Sequence, residues 1–317
     1  MAATVPIPWP CTLLLGLAPT LALAFDAEPI RIRSAAPAKA LVLSPTPMSS
    51  AFQHRWQLSA SAQAASIFAQ SDQYELDYYR LDLGAELLFR PHRRWRIGLQ
   101  YHHGRAEDLR LDQTTLTFHK WFGLDQNGRL EVDKHRFLAD LPQGTFSDFK
   151  GELLSDQASL SLGYQWLDLD RHQLSSTVQA QYHDSPDWLR QGGRWDGALQ
   201  LDYRYQHRSY GLSLMVAASG QGADRILGAE ARSLVWHGDI GYRYHFNPRH
   251  SLALHYLVSQ GVVHDLGELA KPVHEAALGY RYNGGQWAWE TVLLQNLLNA
   301  DNSADFGLQA RLRFQFD

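Results

Sequence analysis

Apolar and polar residues alternate along most of this chain from His54 onward. In the last such segment the apolar residues are Phe306, Leu308, Ala310, Leu312, Phe314 and Phe316. Successive side chains of a strand point to opposite faces, so a period of two predicts a strand with one apolar face. The pattern recurs about 12 times over segments of roughly 9 to 16 residues, the length of strands that cross an outer membrane.

The connections between these segments alternate in length. Tight turns are predicted at 91–94, 168–172, 206–209, 247–250 and 283–286. Longer connections lie at 70–74, 103–153, 183–194, 219–231, 262–273 and 297–304. An even strand number with short turns at one end and long loops at the other is typical of bacterial outer-membrane barrels. The predicted fold is therefore all-β, an antiparallel 12-stranded transmembrane β-barrel formed by residues 54–317, with both termini in the periplasm.

The distribution of charge separates a membrane barrel from the alternative, a soluble all-β domain. The central parts of the apolar faces carry no charged residue; the exceptions at loop-proximal ends are Glu75, Asp77, Asp156 and Arg232. Water would not exclude charge there, whereas an Arg or Lys facing lipid at mid-depth costs about 2–4 kcal/mol. Aromatic residues gather at the short-turn ends as a predicted girdle: Phe89, Trp95, Trp166, Tyr205, Tyr210, Tyr244, Phe246, Tyr282, Trp287 and Phe316. We therefore favour the membrane barrel.

The opposite faces of the same strands are polar and are predicted to line the lumen. The candidate lumen residues are Arg55, Arg80, Asp82, Glu86, Arg96, Asp196, Asp202, Arg204, Asp239, Arg243, Glu275, Arg281, Glu290, Arg311 and Arg313, with Asp305 beside them. The basic members are all arginine, whose planar guanidinium binds carboxylates through two hydrogen bonds. Two compatible interpretations remain. The pairs cross-link and largely fill a narrow barrel, or they form a weakly selective channel for a small polar or zwitterionic solute.

The first 24 residues predict a secretory signal peptide. They carry no charged side chain, and the apolar run Leu13–Leu23 ends in the small-x-small triplet Ala22-Leu23-Ala24. Cleavage near Ala24 would deliver the chain to the bacterial outer membrane; a membrane-anchoring helix is the alternative. The sequence after this segment contains no cysteine, so packing and backbone hydrogen bonds must supply its stability.

Residues 25–53 precede the first strand and are rich in proline. One interpretation is a periplasmic tail. The other is a segment that enters the barrel as a plug, because Ala40-Leu41-Val42-Leu43 is apolar for a solvated tail.

The loop 103–153 contains a stretch that does not alternate. Its apolar residues have helical spacing, and we predict an amphipathic helix over about 109–122 in an extracellular loop. The candidate helix or lid residues are Leu111, Asp112, Phe118, His119, Trp121, Phe122 and Gly123. Such a helix lies on the rim or as a lid across it, which we favour, or folds inward and narrows the pore.

Residues 30 to 140 also carry a set of short motifs. They are Ile32-Arg33-Ser34, Arg80-Leu81-Asp82-Leu83-Gly84, Leu111-Asp112, Phe118-His119, Phe122-Gly123-Leu124, Asn127-Gly128-Arg129 and Arg136-Phe137. This set resembles a "domain of unknown function" family of Gram-negative outer-membrane proteins, with the loop signature L-D-x-x-x-x-x-F-H-x-x-F-G-L-x-x-x-G-R. The resemblance implies an outer-membrane barrel and implies no activity.

Composition and candidate chemistry narrow the function classes. With 29 basic and 33 acidic residues the chain has no nucleic-acid footprint. Ser251 and His255 share a face but point into the lumen, and His183, Asp184 and Asp187 are ordinary residues of a solvated loop, so no catalytic set is predicted. The 15 histidines have no spacing that fixes a metal, and we predict no metal or cofactor.

The working hypothesis is a narrow channel or uptake protein for small polar solutes, embedded in outer-membrane lipid. The alternative is a closed barrel that serves as a scaffold or receptor through its outer loops, and an outer-membrane hydrolase comes third. The sequence names no protein partner.

Overall fold

The computed structural model describes residues 28–48, 54–109, 136–298 and 300–317. Twelve strands follow one another around a barrel: β1 Trp56–Gln70, β2 Glu75–His92, β3 Trp95–Ala106, β4 Leu153–Asp168, β5 His172–Asp184, β6 Trp195–Gln206, β7 Tyr210–Gly220, β8 Leu234–His245, β9 His250–Ser259, β10 Val273–Asn283, β11 Trp287–Leu298 and β12 Phe306–Phe316. Each pairs antiparallel with its sequence neighbours, and β1 pairs with both β2 and β12. This last pairing closes the barrel and confirms the predicted fold class.

The strands alternate in exposure as their sequences do. On β6, Leu199 is 62% exposed, whereas the next residue, Gln200, is 2% exposed. Apolar side chains therefore cover the outer surface and polar side chains fill the inside, the reverse of a soluble protein. This inversion explains why the average hydropathy of the chain is low although its outer wall is apolar.

The turn end of the barrel, where the tight turns lie, carries contacting aromatic rings. Trp95 and Tyr164 have ring centroids 4.8 Å apart, and Tyr164 also meets Trp166 at 4.7 Å. On the other side of the barrel Tyr282 contacts Trp287 at 5.3 Å. These rings lie where the sequence places the aromatic girdle.

The loop end of the barrel, opposite the turn end, carries additional short strands. Leu138–Leu141 pairs with Gly144–Ser147 and with the first residues of β2. A separate three-stranded sheet consists of Arg190–Gly192, Ala223–Ile226 and Ala229–Glu230. Three short 3-10 helices complete the described chain: Ala38–Leu41, Gly267–Ala270 and Ala300–Asn302. No helix within these described residues is long and apolar enough to cross a membrane.

The predicted loop helix lies almost entirely outside the described residues. Leu109 belongs to no helix, and 110–135 are not among the residues that the structure describes. Its candidate residues Leu111, Asp112, Phe118, His119, Trp121, Phe122 and Gly123 therefore stay a prediction.

Residues 28–48, here called the inner segment, contact side chains that point inward from the strands. Near its start, the Arg243 guanidinium of β8 donates to the Glu28 carbonyl at the turn end. The Ala35 amide donates to Glu275 at the loop end of β10, and the Met48 amide donates to Asp202 of β6. None of the segment's residues is exposed. The segment thus rises from the turn end to the loop end and returns as two arms.

Candidate functional site

The predicted lumen residues point inward and are buried, with one exception. The buried members are Arg80, Asp82, Glu86, Arg96, Asp196, Asp202, Arg204, Asp239, Arg243, Glu275, Arg281, Glu290, Arg311 and Arg313, together with Asp305. Arg55 does not line the interior. It precedes β1, is exposed, and places its guanidinium 5.4 Å from the Phe89 ring centroid. The alternation of inward and outward side chains applies only within a strand. Arg55 lies before the first strand residue, so its side chain can turn outward and make a cation–π contact.

A network of ion pairs joins the inner segment to the last three strands near the turn end. Arg313 of β12 pairs with Glu28 of the segment and with Glu290 of β11, the latter at 2.9 Å. Arg281 of β10 pairs with Glu290 at 2.7 Å and donates to the Glu28 carbonyl at 2.8 Å. The buried charges are therefore paired across the segment and three strands, as burial requires.

Glu86 of β2 organises the middle of the interior. Its carboxylate pairs with Arg31 of the inner segment and with Arg311 of β12. The Gln100 amide donates to the same carboxylate at 2.6 Å, and the Ser59 hydroxyl at 3.2 Å. Four donors from three strands and the segment thus hold one acid ionised in a buried position.

Asp196 of β6 plays the same part at the loop end. It accepts hydrogen bonds from the Leu43 backbone amide at 3.0 Å and from Arg190 at 2.8 Å, and it lies 2.9 Å from the His183 ring nitrogen. Arg190 also donates to the Leu41 carbonyl at 2.7 Å. Arg190 was not among the sequence candidates, because it lies in the predicted loop 183–194, although the structure places it in a short strand outside the barrel wall.

Glutamine side chains bind the backbone of the inner segment, and sequence reasoning missed them because they carry no charge. Gln63 donates to the Arg33 carbonyl at 2.9 Å and Gln309 to the Arg31 carbonyl at 2.7 Å. Gln200 donates to the Thr46 carbonyl at 2.9 Å. The available signal was that they occupy inward positions of their strands. These amides satisfy segment carbonyls that water would otherwise solvate.

An apolar patch on the inner wall was also missed. Ile30 and Ile32 of the segment pack against the inward residues Ala253, Ala277, Val292 and Leu294. The signal was the run Val292-Leu293-Leu294, which breaks the alternation of β11. Gly279 belongs to the same wall, where an added Cβ would lie 2.8 Å from the Ile30 Cδ1 atom. The patch is thus complementary in shape and polarity to one arm of the segment.

Lys39 lies buried at the top of the inner segment, in its 3-10 helix. Burial lowers the pKa of Lys39 to about 7, against the opposing attraction of the Glu275 carboxylate. Among the described residues, its ammonium nitrogen has no hydrogen-bond partner. The Glu275 carboxylate instead accepts hydrogen bonds from the Ala35 amide at 3.0 Å and the Ser303 hydroxyl at 2.8 Å.

A cavity lined largely by polar side chains lies between the two arms of the inner segment and the wall formed by β1 to β5 and β12. Its lining includes Arg31, Arg33, Ser61, His102, Gln179 and Arg311. Arg33 donates to Gln157, but no carboxylate of the described residues lies within 4.0 Å of its guanidinium. The cavity therefore has a basic wall beside the paired acid Glu86.

The residues considered for catalysis do not assemble. His183 is bound to Asp196, whereas Asp184 pairs with Arg194 at 2.9 Å on the surface. His255 lies 2.9 Å from Asp239, and the hydroxyl of Ser251 has no hydrogen-bond partner among the residues that the structure describes.

A closed antiparallel barrel with an apolar outside and a polar inside defines the class of transmembrane β-barrels. The crystal structure of the COG4313 outer membrane channel from Pseudomonas putida F1 superposes with a TM-score of 0.53 and 14% sequence identity, over 83% of this chain and 96% of that chain. The NanC porin superposes with a TM-score of 0.50 and 7% identity, over 82% of this chain and 100% of that chain. At these identities the likeness concerns the fold.

The chain belongs to the family described as "Protein of unknown function (DUF3187)", which matches residues 9–316. No curated protein matches the sequence. The family agrees with the class of uncharacterised protein that the sequence resembles, while the loop signature falls mostly on residues that the structure does not describe.

Proposed function

We propose that the protein is an outer-membrane channel of low conductance for small polar solutes. The observation that carries this proposal is the cavity lined by polar side chains that lies beside the inner segment. Its wall includes arginine, glutamine, serine and histidine side chains, which can exchange hydrogen bonds with a hydrated solute. The inner segment acts as a plug that leaves this side of the barrel as the solute path.

Membrane insertion is supported by the outer surface of the barrel. Leu99, Val178 and Ile240, on three separate strands, are each more than half exposed. Aromatic side chains lie around the turn end of the barrel. A signal peptide cleaved near Ala24 would bring the chain to the bacterial outer membrane, with the turn end and both termini in the periplasm. Its partners are then membrane lipid and the solute. The two similar structures are an outer membrane channel and a porin, which supports this role.

A second candidate function, a closed barrel that acts as a scaffold or receptor, is favoured by one observation at the loop end. There Leu41 and Val42 of the inner segment belong to the same apolar cluster as Leu189, Ile226 and Leu266 of the outer loops. This cluster covers the loop end of the interior with apolar side chains. In a channel the solute must pass beside this cluster, whereas in a scaffold the cluster would keep the loop end closed.

Planar-bilayer recording of the purified protein tests the two functions. We expect small single-channel currents from the full chain and larger currents from a variant that lacks residues 28–48, because the segment lies inside the barrel. The matched control is Arg225→Gln, an exposed position on the outer three-stranded sheet, which should record as the parent. Absence of channel events from both the parent and the deletion variant would overturn the channel and leave the scaffold.

A further inference from the structure

The cavity beside the inner segment holds more positive than negative charge. Arg31, Arg33 and Arg311 line it, against Asp82 and Glu86. Asp82 is already paired with Arg80. Glu86 is shared between Arg31 and Arg311. Arg33 therefore forms no ion pair with a described acid, and the carboxylate that attracts it, Asp82, is shared with Arg80.

Arg33 is placed to bind a ligand rather than to complete a wall. Its backbone is fixed on both sides, because its amide donates to Gln309 at 3.2 Å and its carbonyl accepts from Gln63 at 2.9 Å. One guanidinium nitrogen donates to the side chain of Gln157. Arg33 lines the cavity, and the other N–H groups of its guanidinium have no acceptor among the described residues. A guanidinium in a mostly buried site gains much from an anionic partner, because an uncompensated charge there is costly.

Neutral polar groups surround this guanidinium. Ser61, His102 and Gln179 line the same cavity, and their side chains make no hydrogen bond with another residue that the structure describes. In addition, the Nη2 atom of Arg31 and the Oε1 atom of Gln63 are buried without a hydrogen-bond partner there. Donors and acceptors of this kind match the hydroxyl groups of a polyol.

We infer that this cavity is a binding site for a small hydroxylated carboxylate, whose carboxylate group pairs with the guanidinium of Arg33 while its hydroxyl groups bind Ser61, His102 and Gln179. A planar carboxylate suits the guanidinium fork, which forms two parallel hydrogen bonds to it. The inference names a solute class for the proposed channel and therefore rests on the proposed function. Binding, however, is an equilibrium property that needs no current.

Isothermal titration of the full chain in detergent tests the site with two probes that differ only in the charged group, gluconate and sorbitol. We expect gluconate to bind at least roughly tenfold more tightly than sorbitol, and the difference to shrink at high salt. Arg33→Gln should remove the preference for gluconate. Equal binding of the two probes, or no binding of gluconate, would overturn the inference.

A second variant keeps the test decisive if Arg33→Gln disturbs the inner segment. Gln179→Glu keeps the side-chain shape on β5 but adds a negative charge to the cavity, so gluconate should bind at least roughly tenfold more weakly while sorbitol is little affected. Arg225→Gln serves as the control and should bind both probes as the parent does. Unchanged gluconate binding by Gln179→Glu would contradict the site.

The two proposals fail in different ways. Gluconate binding without channel currents would keep the site in a closed barrel, while currents without a gluconate preference would keep the channel and remove the site.

Discussion

The carboxylate of Asp196 accepts a hydrogen bond from the backbone amide of Leu43 at 3.0 Å, so a charged residue of the wall holds an apolar residue of the inner segment. Leu43 itself is 1% exposed. Charge on the wall thus binds the backbone of the segment as well as other charges, whereas the sequence led us to expect only pairs of charges. Several consequences of this arrangement can be measured.

Asp196→Ala should destabilise the protein strongly. The change leaves Arg190 and the Leu43 amide without their shared acceptor, and removing one partner of a buried ion pair costs about 3–5 kcal/mol. Denaturant unfolding in detergent measures the loss. Asp184→Ala is the matched control, since its pair with Arg194 lies at the same end of the barrel but is solvent-exposed. Equal losses for the two variants would contradict the role of Asp196.

Gly279→Leu should loosen the inner segment without changing any charge. A side chain at this position meets Ile30, and overpacking of this kind typically costs about 1–3 kcal/mol. A Ser34→Cys reporter measures exposure by maleimide labelling, with no background because residues 25–317 contain no cysteine. We expect labelling to accelerate roughly tenfold.

The matched control for this experiment is Gly197→Leu. An added Cβ at residue 197 finds its nearest neighbour, the Gln179 carbonyl oxygen, at 3.9 Å, so labelling should stay at the parent rate. Acceleration in both variants would point to general loosening of the barrel rather than to displacement of Ile30.

Lys39 should make stability rise with pH above neutrality. Burial lowers its pKa in the folded protein from the ordinary 10.5 to about 7. Between these values the unfolded chain holds a proton that the folded chain has released, so the free energy of unfolding increases with pH. Below about 7 both states are protonated and the cost of the buried charge is fully present.

Unfolding of Lys39→Met at pH 7 and pH 9.5 checks this sign. The variant should be more stable than the parent at pH 7 and should gain less on going to pH 9.5. Lys271→Met, which removes an exposed lysine next to Glu268, should follow the parent. The idea fails if Lys39→Met and the parent gain equally.

Leu160→Arg should distinguish lipid from water at the outer wall. Leu160 at the middle of β4 and Leu169 in the following turn are 54% and 56% exposed, so they differ little in the isolated molecule. In lipid vesicles, Leu160→Arg should lose about 2–4 kcal/mol of folding free energy, and Leu169→Arg should lose little. Similar behaviour of both variants would argue against a membrane-embedded wall.

The alternation of residues was sufficient to predict the 12 strands of the barrel wall and their faces, but not the short strands at the loop end. Leu199 and Gln200 illustrate why. Adjacent residues of one strand face opposite environments, so the polarity of each residue indicates which side of the barrel wall it lies on. The tight turns followed for the same reason, since they are the short interruptions of that alternation. Arg55 is an exception, because the alternation of faces holds only for residues whose backbone is paired in a strand.

The path of the inner segment could not be predicted in the same way. Gln63 and Gln309 bind backbone carbonyls, a contact that any residue of the segment could supply, so no local pattern identifies the partner. The period-two pattern predicts which side chains face inward, but it does not predict which part of the chain packs against them. The inward apolar residues Val292 and Leu294 indicated that an apolar part of the chain packs inside the barrel. Only the structure shows that this part contains Ile30 and Ile32.

The pairing of Glu28 with Arg313 joins residues 285 positions apart, at opposite ends of the described chain. Since β12 also supplies the seam that closes the barrel against β1, the ion pair of Glu28 forms only when the last strand is in place. The strand that completes the wall thus also pairs the charge at the start of the inner segment. A chain truncated before β12 would lose both its seam and this ion pair, and Glu28 would keep the contacts of its carbonyl with Arg243 and Arg281.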